Sequence, residues 1–441
     1  MTVERSFFMR AMRISVPVAL QAMLQSSFSI VDQMMVGRLG TAQIAAVEVG
    51  AKPGFVFAFV SGAVATVTGI MVSQYLGRGE DDAAAGSMSI NLCAMALAAA
   101  VTSLMCLLMP GGLARLFTVD AAVAGEAAGY IRLTAMIFPL SGAASVLAVE
   151  LRCRDHARYP LYISALSVLV NTAMNRVLIF GLGPVPALGV RGAALASVAS
   201  QAVNFGLMAA AYRRVCVLRF DPRIGKAAFR QYLVMLLPIV LNEFLWTVGQ
   251  SVNTVIYGHM GTAELAGMAL TGPVQGLLIG ALSGLSQAAG ILIGQRLGRG
   301  EYDDAYRESL RLCAYGLAGS LALSALLLLL RDVYTGFFNV EPEVRAIGSR
   351  LLAVFAALAP VKVQNMILGG GVIRSGGKTR YIMVIDMMGT WLVGVPLGLL
   401  TGVVWRLPIA WVYFILSQEE LFRLILTARM FVSRKWMDTL E

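Results

Sequence analysis

Apolar residues along this chain gather into twelve long runs that are separated by short polar segments. A helix needs roughly 20 mostly apolar residues to cross a bilayer, and each run reaches about that length. The runs cover residues 12–37, 51–76, 87–109, 127–151, 159–181, 188–212, 231–258, 266–297, 308–330, 346–373, 380–404 and 408–432. Because a helix satisfies its own backbone hydrogen bonds in lipid, the pattern predicts an all-α polytopic membrane protein with twelve transmembrane helices.

The chain also repeats itself at an offset of 221 residues. VGRLGTAQIA at residues 36–45 corresponds to YGHMGTAELA at residues 257–266. SQYLGRGEDDA, which begins at Ser73, corresponds to GQRLGRGEYDDA, which begins at Gly294. Self-similarity at a fixed period indicates a duplicated architecture.

The repeat predicts two lobes, residues 1–220 and residues 221–441, with six spans in each. Because six is even, both copies enter the membrane from the same side, so a pseudo-twofold axis along the membrane normal relates the lobes. The basic segment 213–230 is the predicted linker between them. Duplicated bundles of this kind place substrate sites between the repeats near the midplane, which favours a transporter.

Composition agrees with a membrane protein, since 58% of the residues are hydrophobic, 14% are charged and the mean hydropathy is +0.75. A soluble domain has roughly 25% charged residues. The net charge of +10 does not indicate nucleic-acid binding, because the basic residues fall between the apolar runs.

The distribution of basic residues predicts the orientation of the chain, since 24 of the 35 Lys and Arg residues lie on the side of the two termini. This bias predicts an inner (plasma) membrane protein with both termini in the cytoplasm.

Neither catalysis nor a bound cofactor is expected. The five cysteines and two histidines are scattered and form no CxxC pair, so they predict neither disulfides nor a metal centre. The segment GGGVIRSGGKT at residues 369–379 is similar to a phosphate-binding loop, but Val372 stands where that loop requires glycine.

Polar residues inside the spans indicate where function lies, because a charge at the bilayer centre costs about 2.5–3.5 kcal/mol on insertion scales. Gln21, Gln25, Ser29 and Asp32 recur every three or four residues along one face of the first span. The seventh span carries a similar stripe of four residues: Glu243, Trp246, Gln250 and Asn253. We expect both stripes to face a watery cavity between the lobes; the alternative is that they only hold helices together.

Each lobe has its own acid, Asp32 in the first and Glu243 in the second. A carboxylate in the membrane can exchange a proton, or it can ligate a hard cation such as Na⁺ together with other oxygen atoms. Asn171 and Asn175, one turn apart in the fifth span, and Ser197 in the sixth could supply such oxygens. The five residues form the predicted cation or proton site, with Na⁺ expected at Asp32, Asn171 and Asn175.

Two basic residues inside the spans need partners. Lys362 in the tenth span is predicted to pair with Glu243, either as a charge switch that protonation or cargo breaks or as a static structural pair. Arg176 is predicted to pair with Asp32 or Glu48. The predicted substrate cavity consists of Gln21, Gln25, Ser29, Arg176, Trp246, Gln250, Asn253, Lys362, Asn365 and Asp386.

Taken over its whole length, the chain resembles the multidrug and toxic compound extrusion (MATE) family. The resemblance rests on the six-helix repeat, VDQMMVG at residues 31–37, LGRGE after the second and eighth spans, GVRGAALAS at residues 189–197 and LPIVLNEFLW around the acid of the seventh span. It implies export of small, lipophilic, often cationic compounds by antiport with Na⁺ or H⁺, through alternating access.

The resemblance also assigns residues. Asp32 matches the family's acid in the first span, Asn171 its asparagine partner, and Glu243 the acid of the seventh span. Asn175 stands where some members have aspartate, and Ser197 stands where threonine is common.

Two other functions remain open at this point. A flippase or exporter of an anionic or lipid-linked cargo is possible because Arg176 and Lys362 could hold a phosphate or carboxylate. The second alternative function is that of a membrane receptor that does not transport. The expected partners are a small-molecule substrate and membrane lipids, and the repeat within one chain favours a monomer.

Overall fold

The computed structural model describes residues 2–216, 226–338 and 340–439, which are helical along nearly their whole length. Within these ranges, extended pairing is confined to one isolated bridge between Leu182 and Val185. The all-α prediction is therefore confirmed. The predicted boundary between the lobes, after residue 220, and part of the predicted linker 213–230 fall outside the described residues, so the division into lobes stays a prediction.

Eight helices cover the described residues up to 216. They are α1 (Thr2–Gly37), α2 (Thr41–Arg78), α3 (Asp81–Leu108), α4 (Pro110–Arg115), α5 (Ala121–Thr134), α6 (Ile137–Cys153), α7 (Arg158–Phe180) and α8 (Gly189–Val215).

Eight more helices cover the described residues from 226 onward. They are α9 (Lys226–Met260), α10 (Thr262–Gly298), α11 (Tyr302–Gly336), α12 (Pro342–Asn365), α13 (Thr379–Met387), α14 (Val395–Leu399), α15 (Ile409–Leu416) and α16 (Gln418–Val432). Three π-helical stretches continue α12, α13 and α14 without a break: Met366–Ile373, Met388–Gly394 and Leu400–Val404.

Most of the predicted spans are present as single long helices. Among the described residues, ten helical segments are long and apolar enough to cross a membrane, and α5 with α6, bent by 45°, forms an eleventh candidate. The twelfth predicted run, 408–432, is divided instead into α15 and α16 at Ser417, and each part falls short of a membrane span. The polar sequence Gln-Glu-Glu directly follows that break.

Large apolar side chains cover much of the outer surface of these helices. Leu97, Leu169, Leu329 and Leu392 are each at least 67% exposed. In water such a surface would aggregate, whereas in a bilayer it contacts lipid tails. Together with the long apolar helices, it makes the chain an integral membrane protein.

The π-helical stretch after α12 coincides with a run of glycines and with a hydrogen bond from α10. The segment Met366–Ile373 contains three consecutive glycines, and a π-helix shifts each backbone bond by one residue from the α register. Ser286 of α10 donates its hydroxyl to the carbonyl of Met366 at 2.6 Å. A side-chain hydroxyl from a neighbouring helix thus helps to satisfy backbone groups at this irregular point, as membrane helices require.

Contacts divide the chain into two units that do not coincide with the two halves of the sequence. One unit contains the described residues up to 19, residues 73–79 and the described residues from 230 onward. The other contains residues 20–72 and the described residues from 80 to 229. One boundary therefore falls inside α1, two residues after Pro17, which lies within that helix.

In the first of these units, the start of α1 packs closely on α10. A Cβ atom at Gly284 would overlap the backbone carbonyl of Ser15, and a Cβ atom at Gly298 would overlap that of Gln74 in the last turns of α2. Only glycine permits backbones to approach so closely. Arg10 adds a hydrogen bond to Gln295 at 3.3 Å.

Candidate ion and cargo sites

A polar cluster in the first half of the chain centres on Asp32. Asn175 of α7 donates from Nδ2 to the Asp32 carboxylate at 2.6 Å and to Oδ1 of Asn171 at 2.7 Å. The two asparagines are one helical turn apart and both are buried, so their amides stack along one face of α7. The structure thus brings together three of the residues predicted for ion coupling.

Hydroxyl groups of α8 extend this cluster. Asn171 donates from Nδ2 to Ser200 Oγ at 3.1 Å and lies 3.4 Å from Ser197 Oγ. Ser197 was predicted from the sequence and Ser200 was not, although it lies one turn further along the same helix. Oδ1 of Asn175 is buried and has no hydrogen-bond partner among the described residues. We refer to Asp32, Asn171, Asn175, Ser197 and Ser200 as the Asp32 cluster.

The rest of the polar stripe on α1 is divided. Gln21 does not join the Asp32 cluster; it donates to Ser164 of α7 at 2.7 Å and accepts from Arg152 of α6 at 2.7 Å. Gln25 is exposed. The side chain of Ser29 lies outside those that the structure describes.

The predicted partners of Arg176 are wrong. Its guanidinium lies over the ring of Phe180 at 5.5 Å, and Glu48 pairs instead with Lys52 at 2.6 Å. The reason is helical geometry, because each residue of a helix is turned about 100° from the one before it. With Asn175 facing the interior, Arg176 points away from the Asp32 cluster.

The predicted pair of Lys362 with Glu243 is also wrong. Lys362 lies 3.7 Å from the carboxylate of Glu420 on α16, which also accepts a hydrogen bond from Asn365 at 2.9 Å. Glu243 is partly exposed on α9, and the charged groups close enough to act on it are Arg374 and Asp386.

Arg423 of α16 belongs to the same charged group, although its place near the chain end suggested a cytoplasmic residue. It is buried and lies 3.3 Å from Glu419, 3.7 Å from Glu420 and 4.0 Å from Asp386. Asp386 accepts a hydrogen bond from Asn242 at 2.9 Å. The sequence signal for this group was available: two acids and an arginine, three and four residues apart, interrupt the apolar run 408–432.

Two cavities flank this charged group. The larger, of about 380 Å³, contains the predicted residues Trp246, Lys362, Asn365 and Asp386, and also Arg374, Glu420 and Arg423. The smaller, of about 160 Å³, contains the predicted residues Gln250, Asn253 and Lys362, and also Gln275, Tyr413, Glu419 and Glu420. Lys362 and Glu420 line both, so the ion pair lies where the two cavities meet.

A chain of long apolar helices that encloses an acid–amide cluster and two polar cavities has the construction of a membrane transporter. The family model MatE matches residues 17–177 and again residues 238–400. The chain therefore belongs to the MATE family of transporters. The two matches begin 221 residues apart, which is also the offset of the sequence repeat.

Similar proteins agree with this assignment. The uncharacterized transporter YisQ of Bacillus subtilis is 21% identical over 96% of this chain and 93% of its own length. The multidrug resistance protein MdtK of Pectobacterium atrosepticum is 26% identical over 88% of this chain and 86% of its own length. Among solved structures, a mutant of the Vibrio cholerae MATE transporter VcmN superimposes with a TM-score of 0.90 at 16% identity, covering 99% of this chain and 100% of that one. The predicted fold class is confirmed.

Proposed function

We propose that this chain is an antiporter that exports small organic compounds in exchange for Na⁺, with Asp32 as the coupling carboxylate. The observation that supports this most strongly is the Asp32 cluster. The Asp32 carboxylate accepts from Asn175, Asn175 also donates to Asn171, and Asn171 lies beside the hydroxyls of Ser197 and Ser200, so five oxygen-bearing side chains form one connected cluster. Oxygen atoms are the ligands that hard cations prefer.

The unpartnered oxygen of Asn175 favours Na⁺ over a proton. With the Asn175 amide oriented so that Nδ2 donates to Asp32, a proton on Asp32 leaves Asn175 Oδ1 buried without a partner among the described residues. A bound cation would accept electron density from both oxygens. Buried acceptors without partners cost free energy, so a ligand that satisfies this one is stabilised.

Cargo is proposed to bind in the larger cavity, where Trp246 offers an aromatic face to a lipophilic compound and Asp386 offers a carboxylate to a cationic one. For antiport, ion and cargo must each favour a different state of the protein, because a ligand shifts a conformational equilibrium only through its differential affinity. We propose alternating access between an outward-facing and an inward-facing state, in the plasma membrane, with both termini cytoplasmic and the chain as a monomer.

An anionic or lipid-linked cargo is the second candidate. Three cationic side chains (Lys362, Arg374 and Arg423) line the larger cavity beside only two carboxylates. A purely cationic cargo would meet repulsion from them. Efflux of an anionic dye in place of a cationic dye from vesicles would favour this candidate.

The proposal is tested by binding of radioactive sodium to the purified full-length protein in detergent. Wild type should bind Na⁺ saturably, and Asp32→Asn should lose that binding because the cluster keeps no negative charge. The matched control is Glu48→Gln, which removes an exposed acid that pairs with Lys52. Equal Na⁺ binding by Asp32→Asn and wild type would contradict the assignment, and absence of binding in wild type would favour H⁺.

A further inference from the structure

Three residues of the first half have counterparts at the repeat offset in the second half. The pairs are Gln21 with Asn242 at an offset of 221, Arg152 with Arg374 at 222 and Ser164 with Asp386 at 222. Two of the three pairs keep their chemistry, an amide with an amide and an arginine with an arginine. In the third, a serine stands opposite a carboxylic acid.

In the second half, the three residues form a cluster whose anionic group is the carboxylate of Asp386. Asn242 donates from Nδ2 to Oδ2 of Asp386 at 2.9 Å. An Nη2 atom of Arg374 lies 3.9 Å from the same oxygen. The carboxylate therefore sits between a side-chain amide and a guanidinium, and its charge balances that of Arg374.

In the first half, the corresponding cluster has no anionic group, because Ser164 stands in the place of Asp386. Gln21 donates from Nε2 to Oγ of Ser164 at 2.7 Å, just as Asn242 donates to Asp386. Arg152 donates from Nη2 to Oε1 of Gln21 at 2.7 Å, which is a neutral partner. Its Nε atom is buried without a hydrogen-bond partner, and Arg152 forms no ion pair among the described residues.

Nearby acids are already engaged with other groups. Glu150 lies two residues before Arg152 and binds Arg154 at 3.1 Å and the hydroxyl of Tyr212 at 2.6 Å. Asp81, another acid of this region, pairs with Arg154 at 2.8 Å. A largely enclosed guanidinium without a counter-ion is unfavourable, so an anion from outside the chain would stabilise it.

We propose that Arg152, Gln21 and Ser164 form a binding subsite for an oxyanion, a carboxylate or phosphate group, which takes the place that Asp386 fills in the second half. This rests on the proposed function in that the oxyanion would belong to the exported compound. The cargo is then an amphoteric compound, with an anionic group at Arg152 and its lipophilic or cationic part elsewhere in the transport path.

The chemistry of the three side chains suits this ligand. A guanidinium presents N–H donors in a planar fork that matches the two oxygens of a carboxylate or phosphate. The Ser164 hydroxyl and the Gln21 amide add donors beside it. Arg152 and Gln21 both keep part of their surface exposed, so an anion can reach them.

The test is thermal unfolding of the full-length protein in a neutral detergent, with acetate or inorganic phosphate compared with chloride at constant ionic strength. We expect the oxyanions to raise Tm of the wild type by about 2 °C or more at saturation. Arg152→Gln should lose the shift. Ser164→Asp should also lose it and should raise Tm without ligand, because it supplies the carboxylate of the second half.

The matched control is Arg158→Gln, which removes the same charge from an exposed position six residues away and should keep the full shift. If Arg152→Gln does not fold, Ser164→Asp decides the question. Phosphatidylglycerol, which is anionic, and phosphatidylcholine, which is zwitterionic, are then added in place of the free anions to distinguish a lipid headgroup from a cargo. If phosphatidylglycerol raises Tm and the free oxyanions do not, the site binds a lipid headgroup and the assignment to cargo is wrong. The subsite is overturned if oxyanions do not raise Tm of the wild type, or if they raise Tm of Ser164→Asp equally. Na⁺ binding at Asp32 tests the proposed function separately.

Discussion

At the scale of single residues, Arg423 links three acidic side chains of the second half. Its guanidinium faces Glu419, Glu420 and Asp386, and an Nη2 atom donates to the Thr390 hydroxyl at 2.5 Å. A buried cation that contacts three carboxylates holds them together against their mutual repulsion. Removing one partner of a buried charged group costs more than the group contributes, because the other charges are left unpaired.

Arg423→Gln should therefore lower the free energy of unfolding by about 3–5 kcal/mol. Thermal unfolding in detergent is the measurement, with Arg429→Gln as the control because Arg429 is exposed on the same helix. The double variant Glu419→Gln with Arg423→Gln should recover part of the loss. Equal Tm values for Arg423→Gln and Arg429→Gln would show that the charged group does not stabilise the fold.

The sequence predicted four of the five residues of the Asp32 cluster, all but Ser200, because Asn171 and Asn175 are spaced for one face of a helix. It missed the partners of Lys362 and Arg176, because periodicity fixes which side chains share a face and not which helix that face meets. Glu420 comes from α16, more than fifty residues after Lys362. Such a contact depends on how helices pack, which the spacing does not contain.

At the scale of elements, one irregular helical stretch of the second half lies next to the larger cavity. The π-helical stretch Met366–Ile373 follows Asn365 directly, and Met366, Gly369 and Gly370 line the larger cavity. Its carbonyl at Met366 relies on the hydroxyl of Ser286. Departures from the α register are frequent at functional sites, and here the departure widens the helix beside the proposed cargo site.

Ser286→Ala should destabilise the protein by about 1 kcal/mol, because it removes one hydrogen bond to an irregular backbone. Ser283→Ala is the matched control, since the Ser283 hydroxyl donates to the carbonyl of Gly280 in its own helix. Hydrogen exchange of residues 366–373 should rise in the first variant and stay unchanged in the second. Equal exchange rates in the two variants would show that Ser286 does not stabilise the π-helix.

Eleven of the twelve predicted runs correspond to candidate membrane segments, because hydropathy and length decide whether a helix can cross a bilayer. The break at Ser417, the bend between α5 and α6, the short α4 and the π-helical stretches were not predicted. These features depend on which backbone groups find partners on neighbouring helices. An apolar run carries little information about them.

At the scale of the whole molecule, transport requires that a closed path on one side of the membrane can open. The start of α1 and the last turns of α2 pack on α10 in one contact unit, whereas the rest of both helices belongs to the other unit. Gly284 and Gly298 allow this packing, because each faces a backbone carbonyl. We expect the packing to be made and broken during the proposed transport cycle.

Gly284→Ala should slow transport, because the added methyl group overlaps Ser15 and overpacking of this kind costs about 1–3 kcal/mol. That cost lowers the population of the packed state by roughly 5- to 150-fold. Gly276→Ala is the control, because Gly276 lies in the same helix and a Cβ atom there would meet open space; this variant should transport normally. Efflux from proteoliposomes measures both; equal rates would show that this contact takes no part in the cycle.

The family and the fold were predictable from the sequence because LGRGE recurs with the repeat and the other motifs, VDQMMVG in the first half and LPIVLNEFLW in the second, extend the resemblance over both halves. The cargo was not predictable in the same way. In our proposal the cargo is recognised by Lys362, Arg374, Arg423 and Asp386, which line one cavity only when α12, α13 and α16 pack together. Our proposal of Na⁺ as the coupling ion likewise rests on the buried Oδ1 of Asn175, which the sequence does not reveal.

The most direct test of the central claim is efflux of a fluorescent lipophilic cation from proteoliposomes, under an inward Na⁺ gradient and then under a pH gradient. Asp32→Asn and Glu48→Gln are measured beside the wild type. Our account predicts Na⁺-driven efflux that is lost in Asp32→Asn and kept in Glu48→Gln. Full Na⁺-driven efflux in a well-folded Asp32→Asn protein would contradict the role of Asp32 as the coupling carboxylate.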